Sequence, residues 1–398
     1  MRIYVVKPGD TVWTIARRLG VDPQSIIQTN WLGSSGRLVV GQSLVIPTIR
    51  GCRLCPFGMM RIPEGFRPLG TYEVNGFIQP TNPEKERNVL RESIEFLTYV
   101  TPFSHHVNED GTLTPLADDT ILQIAKQNGV APMLSVSNIT GVAGANFNSD
   151  LISKILNDNR LQQTLINNIL QMIKNKGYYG VIIDFERIPP EDREKYNNFL
   201  RKVVSALHPN YLVATALAPK TYDITSGSWH GAHDYKAHGE IVDFVIIMTY
   251  EWGWSGGPPM AVAPIDEVRK VINYAVSVIP PKKIMMGIPL YGYDWTLPYI
   301  PKGEFAESIG NQEAIDRAAK YNAAIQYDTK AQSPYYYYTD EQGKRHEVWF
   351  EDARSVAAKY RLVNEYGLRG VSYWSLAQPF PQNWPVLNDM FTVKKITR

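Results

Sequence analysis

From Tyr72 to Leu376 the chain alternates short apolar, strand-forming runs with longer amphipathic stretches, and eight such runs can be counted. They are Tyr72–Ile78, Phe96–Pro102, Ala131–Ser137, Gly180–Glu186, Tyr211–Ala218, Phe244–Tyr250, Ile284–Leu290 and Gly370–Leu376. Helix-like stretches such as Ala117–Asn128, Leu151–Lys174, Pro190–Leu207, Ile265–Val278 and Asp352–Tyr366 lie between them. A run that is apolar throughout suits a strand covered on both faces, by helices outside and by a packed interior inside. The pattern therefore predicts an α/β fold, a (β/α)8 barrel of parallel strands. Only the connection between the seventh and eighth runs is too long. Within it, Glu304–Phe350 carries its own helix-like and strand-like pieces, including Tyr335–Tyr338, so a small α+β insertion on the catalytic face is expected.

The 398 residues leave room for a small second domain beside the barrel, and 44% hydrophobic with 20% charged residues is the composition of an ordinary globular protein. A formal charge of +2 offers no electrostatic footprint for nucleic acid or an anionic membrane. No apolar h-region can be drawn through Met1–Trp13 and no window suits a membrane span, so export by a signal peptide and membrane insertion are not expected. Cys52 and Cys55 form a lone C-x-x-C, short of the four ligands of a structural zinc site. His230-x-x-His233-x4-His238 fits no standard metal spacing and reads as a loop or substrate contact. No metal and no cofactor are expected.

Residues 1–48 read as β-α-α-β: a strand at Ile3–Val6, a turn at Pro8–Thr11, helical spacing through Val12, Ile15, Ala16 and Leu19, a second helical stretch at Ile26 and Ile27, and a strand at Ser43–Pro47. The segments Tyr4–Trp13, Asn30 and Leu38-x-x-Gly41-Gln42-x-Leu44-x-Ile46-Pro47 resemble a LysM module. That resemblance implies binding to N-acetylglucosamine chains of peptidoglycan or chitin, with Gly9, Asp10, Thr11 and Asn30 near the sugar. Gly9 and Asp10 also suit a turn, and Thr11 a helix cap, without any ligand. Residues 49–69 mix Gly, Pro and isolated hydrophobics and read as a linker, so the barrel domain spans 70–398.

A barrel of this kind builds its active site at the C-terminal ends of its strands. The fourth run ends Ile183-Asp184-Phe185-Glu186, and residues two apart on a strand face the same way, so Asp184 and Glu186 share the barrel mouth. Two carboxylates so close influence each other's ionisation, which suits acid–base work. The run Gly180–Glu186 resembles the signature of glycoside hydrolase family 18, Asp-Gly-x-Asp-x-Asp-x-Glu, with Tyr179 and Ile182 in place of the first two Asp residues. The resemblance spans about residue 70 to the end. It implies Glu186 as general acid, and the missing carboxylate at Ile182 leaves Asp184 facing Glu186. Met248-Thr249-Tyr250-Glu251 resembles that family's Met-x-Tyr-Asp, with Glu251 replacing Asp, and Trp374 stands where the family has a tryptophan beneath the sugar. Asn138 and Tyr291 follow the third and seventh runs and are expected to contact substrate; His105, His106 and Trp295 are similarly placed. Loop residues Trp229, Trp252, Trp254 and Trp295 look like cleft aromatics.

The family implies substrate-assisted hydrolysis with retention, in which the 2-acetamido oxygen of the sugar is the nucleophile. Glu186 would be acid and then base, Asp184 would hold the acetamido N–H, and Tyr250 its oxygen. An N-acetylated sugar at the cleaved bond agrees with what a LysM module binds. The expected activity is that of an N-acetylglucosaminidase acting on peptidoglycan. LysM, barrel and the Met-Thr-Tyr-Glu-Trp-Gly loop together resemble the spore cortex-lytic enzymes of endospore-forming bacteria, which implies cortex fragments containing muramic-δ-lactam as substrate during germination. It also implies synthesis in the mother cell and a place in the spore coat or cortex. The C-x-x-C would then serve attachment to spore-coat proteins. The alternatives are a chitinase, a barrel that binds glycan without cutting it, kept open by Tyr179, Ile182 and Glu251, and a structural coat protein.

Overall fold

The computed structural model describes residues 1–33, 36–47, 68–140 and 146–396. Most of the linker 49–69, including Cys52 and Cys55, lies outside the described residues. Within them, no helix is long and apolar enough to cross a membrane.

Eight parallel strands close a barrel: Gly70–Ile78, Tyr99–Pro102, Ala131–Ser137, Gly180–Asp184, Leu212–Leu217, Phe244–Ile247, Ile284–Pro289 and Gly370–Trp374, the last pairing back onto the first at Gly370↔Glu73. The period-2 alternation of each strand divides its side chains between two apolar regions. Val181, Ile183 and Phe185 point outward into the layer beneath the helices. Ile182, Ala214, Phe244, Ile246 and Met285 fill the barrel with Phe77, Tyr99 and Met133. This two-sided burial is what an uninterrupted apolar run provides, and the α/β barrel expected from sequence is the fold observed.

Two elements differ from the sequence reading. Leu151–Lys174 is not one helix but parts of two, Ser149–Asn157 and Asn159–Lys176. Asp158 adopts an extended backbone between them and its carboxylate caps the second through Arg160 N–H and Leu161 N–H, a local bond that competes with continuing the helix. The sheet between the seventh and eighth strands also begins earlier than Glu304. Tyr291–Leu297 pairs antiparallel with both Glu307–Gly310 and Arg345–Trp349, and Ser333–Thr339 and Gln326–Asp328 complete five strands against the helix Asn311–Lys320. Alternating aromatic and small residues in Tyr291-Gly292-Tyr293 carry the chain from barrel to insertion without a break.

At the N-terminus, Arg2–Val5 and Ser43–Ile46 pair antiparallel around the helices Val12–Leu19 and Pro23–Thr29. Thr11 caps the first helix by accepting from Thr14 N–H, and Gly20 ends it in the left-handed region at φ 68°. This module is seated on the barrel. The Gln382 side-chain amide donates to Asn30 Oδ1 at 3.0 Å and to Ser43 O at 2.8 Å, and Ile325 N–H donates to Val40 O at 2.8 Å. Gly41 permits the approach, since a Cβ there would come within 1.7 Å of Ile325 O.

Candidate active site

The fourth strand brings Asp184 to the rim of the barrel and Glu186 just beyond it, 5% and 9% exposed. Beneath them Ile182 is fully buried in the barrel interior. Asp184 Oδ1 is buried and accepts no hydrogen bond among the described residues. Burial pushes the Asp184 carboxyl up to about 7. Glu186 is raised well above the ordinary glutamate value, first by burial, then by the charges of Asp184 and Glu251, against a smaller lowering by Arg187. A buried carboxyl beside a second one holds its proton at neutral pH, the state a general acid needs.

The backbone that carries Glu186 is held from two sides. Asn138, after the third strand, accepts from Glu186 N–H at 3.0 Å and donates to Glu186 O at 2.9 Å. His233 accepts from Ala218 N–H at Nδ1 and donates from Nε2 to Phe185 O, each at 2.9 Å. These partners fix the neutral Nε2–H form, and burial lowers the ring's pKa to about 4. Replacing Asn138 by Ala would leave both Glu186 backbone groups unpaired in a buried site. The expected cost is about 2–3 kcal/mol of unfolding free energy, read by denaturant titration.

Beyond the end of the sixth strand, Met248 and Tyr250 both line the cleft, and Glu251 follows in the left-handed region at φ 70°. The Tyr291 and Tyr293 hydroxyls both donate to Glu251 Oε1. Burial raises the Glu251 pKa, while those two hydrogen bonds oppose the rise. Trp374 ends the eighth strand, with Phe103 edge-on at 4.6 Å and Phe77 at 5.7 Å between ring centroids. A cleft of about 340 Å³ is lined by Asp184, Glu186, Met248, Tyr250, Glu251, Tyr291 and Trp374 together.

Other expectations need correction. Asn138 is fully buried and presents its amide to the Glu186 backbone, so it reaches no substrate. His105 is buried, with Nδ1 on Thr114 O and Nε2 3.4 Å from Asp118. His233 and His238 are buried too, the latter on Thr215 Oγ1. Of the tryptophans, Trp229 and Trp374 line the cleft, whereas Trp295 is buried in the insertion with its N–H on Gly257 O, and Trp252 packs on the core. Sequence reasoning passed over Phe77, Phe103 and Arg187 in the cleft. The inward period of the first strand and the proximity of Arg187 to Glu186 were the available signals.

In the N-terminal module, Asn30 is 0% exposed and bonds Val45 through its N–H and C=O, so it is a structural clasp that no sugar can reach. Asp10 accepts from Tyr4 Oη, Lys7 N–H and Arg18, and the Tyr4 hydrogen bond leads the lowering of its pKa. Thr11 is the helix cap, and Gly9 turns the chain at φ 81° with open space beside it. Trp13, 70% exposed, lies off the helix face formed by Val12, Ile15 and Ala16, and Trp31 is exposed as well. That offset from the apolar period was the sequence signal for a surface aromatic.

Comparison with known proteins identifies the family. The profile of glycosyl hydrolases family 18 matches residues 77–378, and that of the LysM domain residues 4–47. The chain is 42% identical to a cortical fragment-lytic enzyme of Bacillus anthracis, over 99% of each chain. It is also 42% identical to one of Bacillus subtilis (strain 168), over 100% of each. The crystal structure of the Bacillus cereus spore cortex-lytic enzyme SleL superposes with a TM-score of 0.91 at 40% identity, covering 99% of this chain and 98% of that one. The chain belongs to glycosyl hydrolases family 18, as a glycosidase barrel preceded by a LysM domain.

Proposed function

We propose that this glycosidase is a retaining, substrate-assisted N-acetylglucosaminidase that cleaves β-1,4 bonds of peptidoglycan. Its substrates would be spore cortex fragments containing muramic-δ-lactam during germination, a reading supported by relatives named cortical fragment-lytic enzyme. The observation that carries the chemistry is the pair of buried carboxyls Asp184 and Glu186, both with raised pKa values. The third carboxylate lining the cleft, Glu251, is engaged by two tyrosine hydroxyls, which suits a reaction whose nucleophile comes from the sugar.

In this reading the sugar lies on the Trp374 face and its acetamido oxygen attacks the anomeric carbon. Glu186 protonates the departing oxygen as the C–O bond breaks. Asp184 accepts the acetamido N–H and offsets the positive charge of the oxazolinium, and Tyr250 aligns the acetamido oxygen. Glu186, now a carboxylate, takes a proton from the water that opens the ring, restoring the acid with net retention. Glu251, Met248 and Tyr291 shape the wall around the sugar, and the LysM surface at Gly9, Asp10 and Thr11 holds the glycan chain. A place in the spore coat or cortex, with attachment to coat proteins through Cys52 and Cys55, follows from the same reading.

Mass spectrometry of spore cortex fragments tests it. New N-acetylglucosamine reducing ends with the wild type, absent with Glu186→Gln, are expected. New ends from chitin oligomers alone would make the protein a chitinase, and none from either would leave a glycan-binding barrel.

A further inference from the structure

Arg187 follows the acid directly, and its position costs something in two ways. A non-glycine residue at φ 55° is strained by about 1 kcal/mol. A cation there also lowers the Glu186 pKa, against the burial that keeps the acid protonated. The surroundings nevertheless hold it in place. Ser149 Oγ donates to Arg187 O at 2.7 Å, Asn138 fixes the peptide before it, and Trp229 lies under the guanidinium at 5.4 Å. Arg187 is exposed, lines the cleft, and its guanidinium makes no ion pair or hydrogen bond among the described residues. A guanidinium stacked on one face keeps its N–H edge free, the geometry that grips a carboxylate in a fork.

We propose that Arg187 is a specificity residue that binds a carboxylate on the sugar adjoining the cleaved N-acetylglucosamine. The inference rests on the peptidoglycan reading above. Peptidoglycan alternates N-acetylglucosamine with muramoyl residues, so both neighbours of a bound N-acetylglucosamine are muramoyl. A muramoyl residue carries a free carboxylate on its lactyl group or on its stem peptide, whereas the lactam form has closed that group into a neutral ring. The cation next to Glu186 thus selects fragments whose adjoining muramoyl residue keeps its acid over those in which it has become a lactam. A neutral chitin chain would gain nothing from it.

Three fragments of equal length separate the possibilities: muramoyl with a free lactyl carboxylate, muramoyl with a stem peptide, and the lactam. Calorimetric binding to Glu186→Gln protein is compared with binding to the Glu186→Gln/Arg187→Gln double variant. A carboxylate fragment is expected to bind about five- to tenfold more tightly than the lactam, falling to within about twofold in the double variant. Which of the two gains identifies the source of the carboxylate. Glu186→Gln/Arg187→Lys should keep part of the preference, and salt should weaken it. Equal affinity for all three fragments, or a preference that survives in the double variant, overturns the inference. Wild-type digestion of the same fragments reads the function separately. Cleavage without a binding preference removes Arg187's role and keeps the glucosaminidase; a preference without cleavage does the reverse.

Discussion

Glu186→Gln is expected to lower kcat/KM on cortex fragments by about 10³–10⁴-fold. The amide has the shape of the acid and can still donate a hydrogen bond to the glycosidic oxygen, but it has no proton to give up. A sugar alkoxide is a poor leaving group, so the loss falls on bond breaking. An aryl N-acetylglucosaminide, whose phenolate leaves without help, should lose only about tenfold in kcat/KM, because that quantity reports the first irreversible step. The contrast between the two substrates is the diagnostic. Equal losses on both would mean that Glu186 acts on something other than the leaving oxygen. The variant should fold normally, since Asn138 and His233 hold the backbone of Phe185 and Glu186 and not the carboxyl itself.

The barrel was legible because its signal is repeated: each strand is apolar on both faces, and both faces are buried. The mouth of the fourth strand was legible for a related reason. Asp184 and Glu186 interrupt an apolar run at the inward period, where an ionisable side chain is costly without a purpose. What failed was the inference from being near the mouth to touching the substrate. Asn138, His105 and His233 all lie beyond strand ends, as cleft residues do, yet Asn138 and His233 turn their polar atoms to the backbone of neighbouring loops, and His105 faces Thr114 O and the Asp118 carboxylate. Sequence distance from a strand end does not say whether a polar side chain faces the cleft or satisfies a buried N–H. Asn30 failed in the same way, since its partners Val45 and Gln382 are remote in sequence. The early start of the insertion sheet was hidden because Tyr291–Leu297 continues the apolar seventh run. Its partners come from as far along as Arg345–Trp349.

Asp184→Asn should separate activity from stability, moving them in opposite directions. On cortex fragments kcat is expected to fall by about 10²-fold, because an amide cannot carry the negative charge that offsets the oxazolinium. Stability should rise, and only at high pH. Burial lifts the Asp184 carboxyl from its ordinary value to about 7, so the folded protein holds this proton more tightly than the unfolded chain does. The stabilising contribution is fully present below the unfolded value and is lost as pH rises through about 7. Above that point the wild type keeps a buried carboxylate whose Oδ1 has no hydrogen bond among the described residues. Asparagine removes that charge, with a gain on the order of 4 kcal/mol, or about 5 °C in Tm, at about pH 8. Near pH 3.5 the aspartate is protonated in the folded protein and mostly so in the unfolded chain, and the two proteins should melt within about 1 °C of each other. Thermal unfolding at both pH values decides the matter. A variant less stable than the wild type at about pH 8 would mean that the carboxylate anchors the fold, and its loss of activity would then say nothing about charge in the reaction.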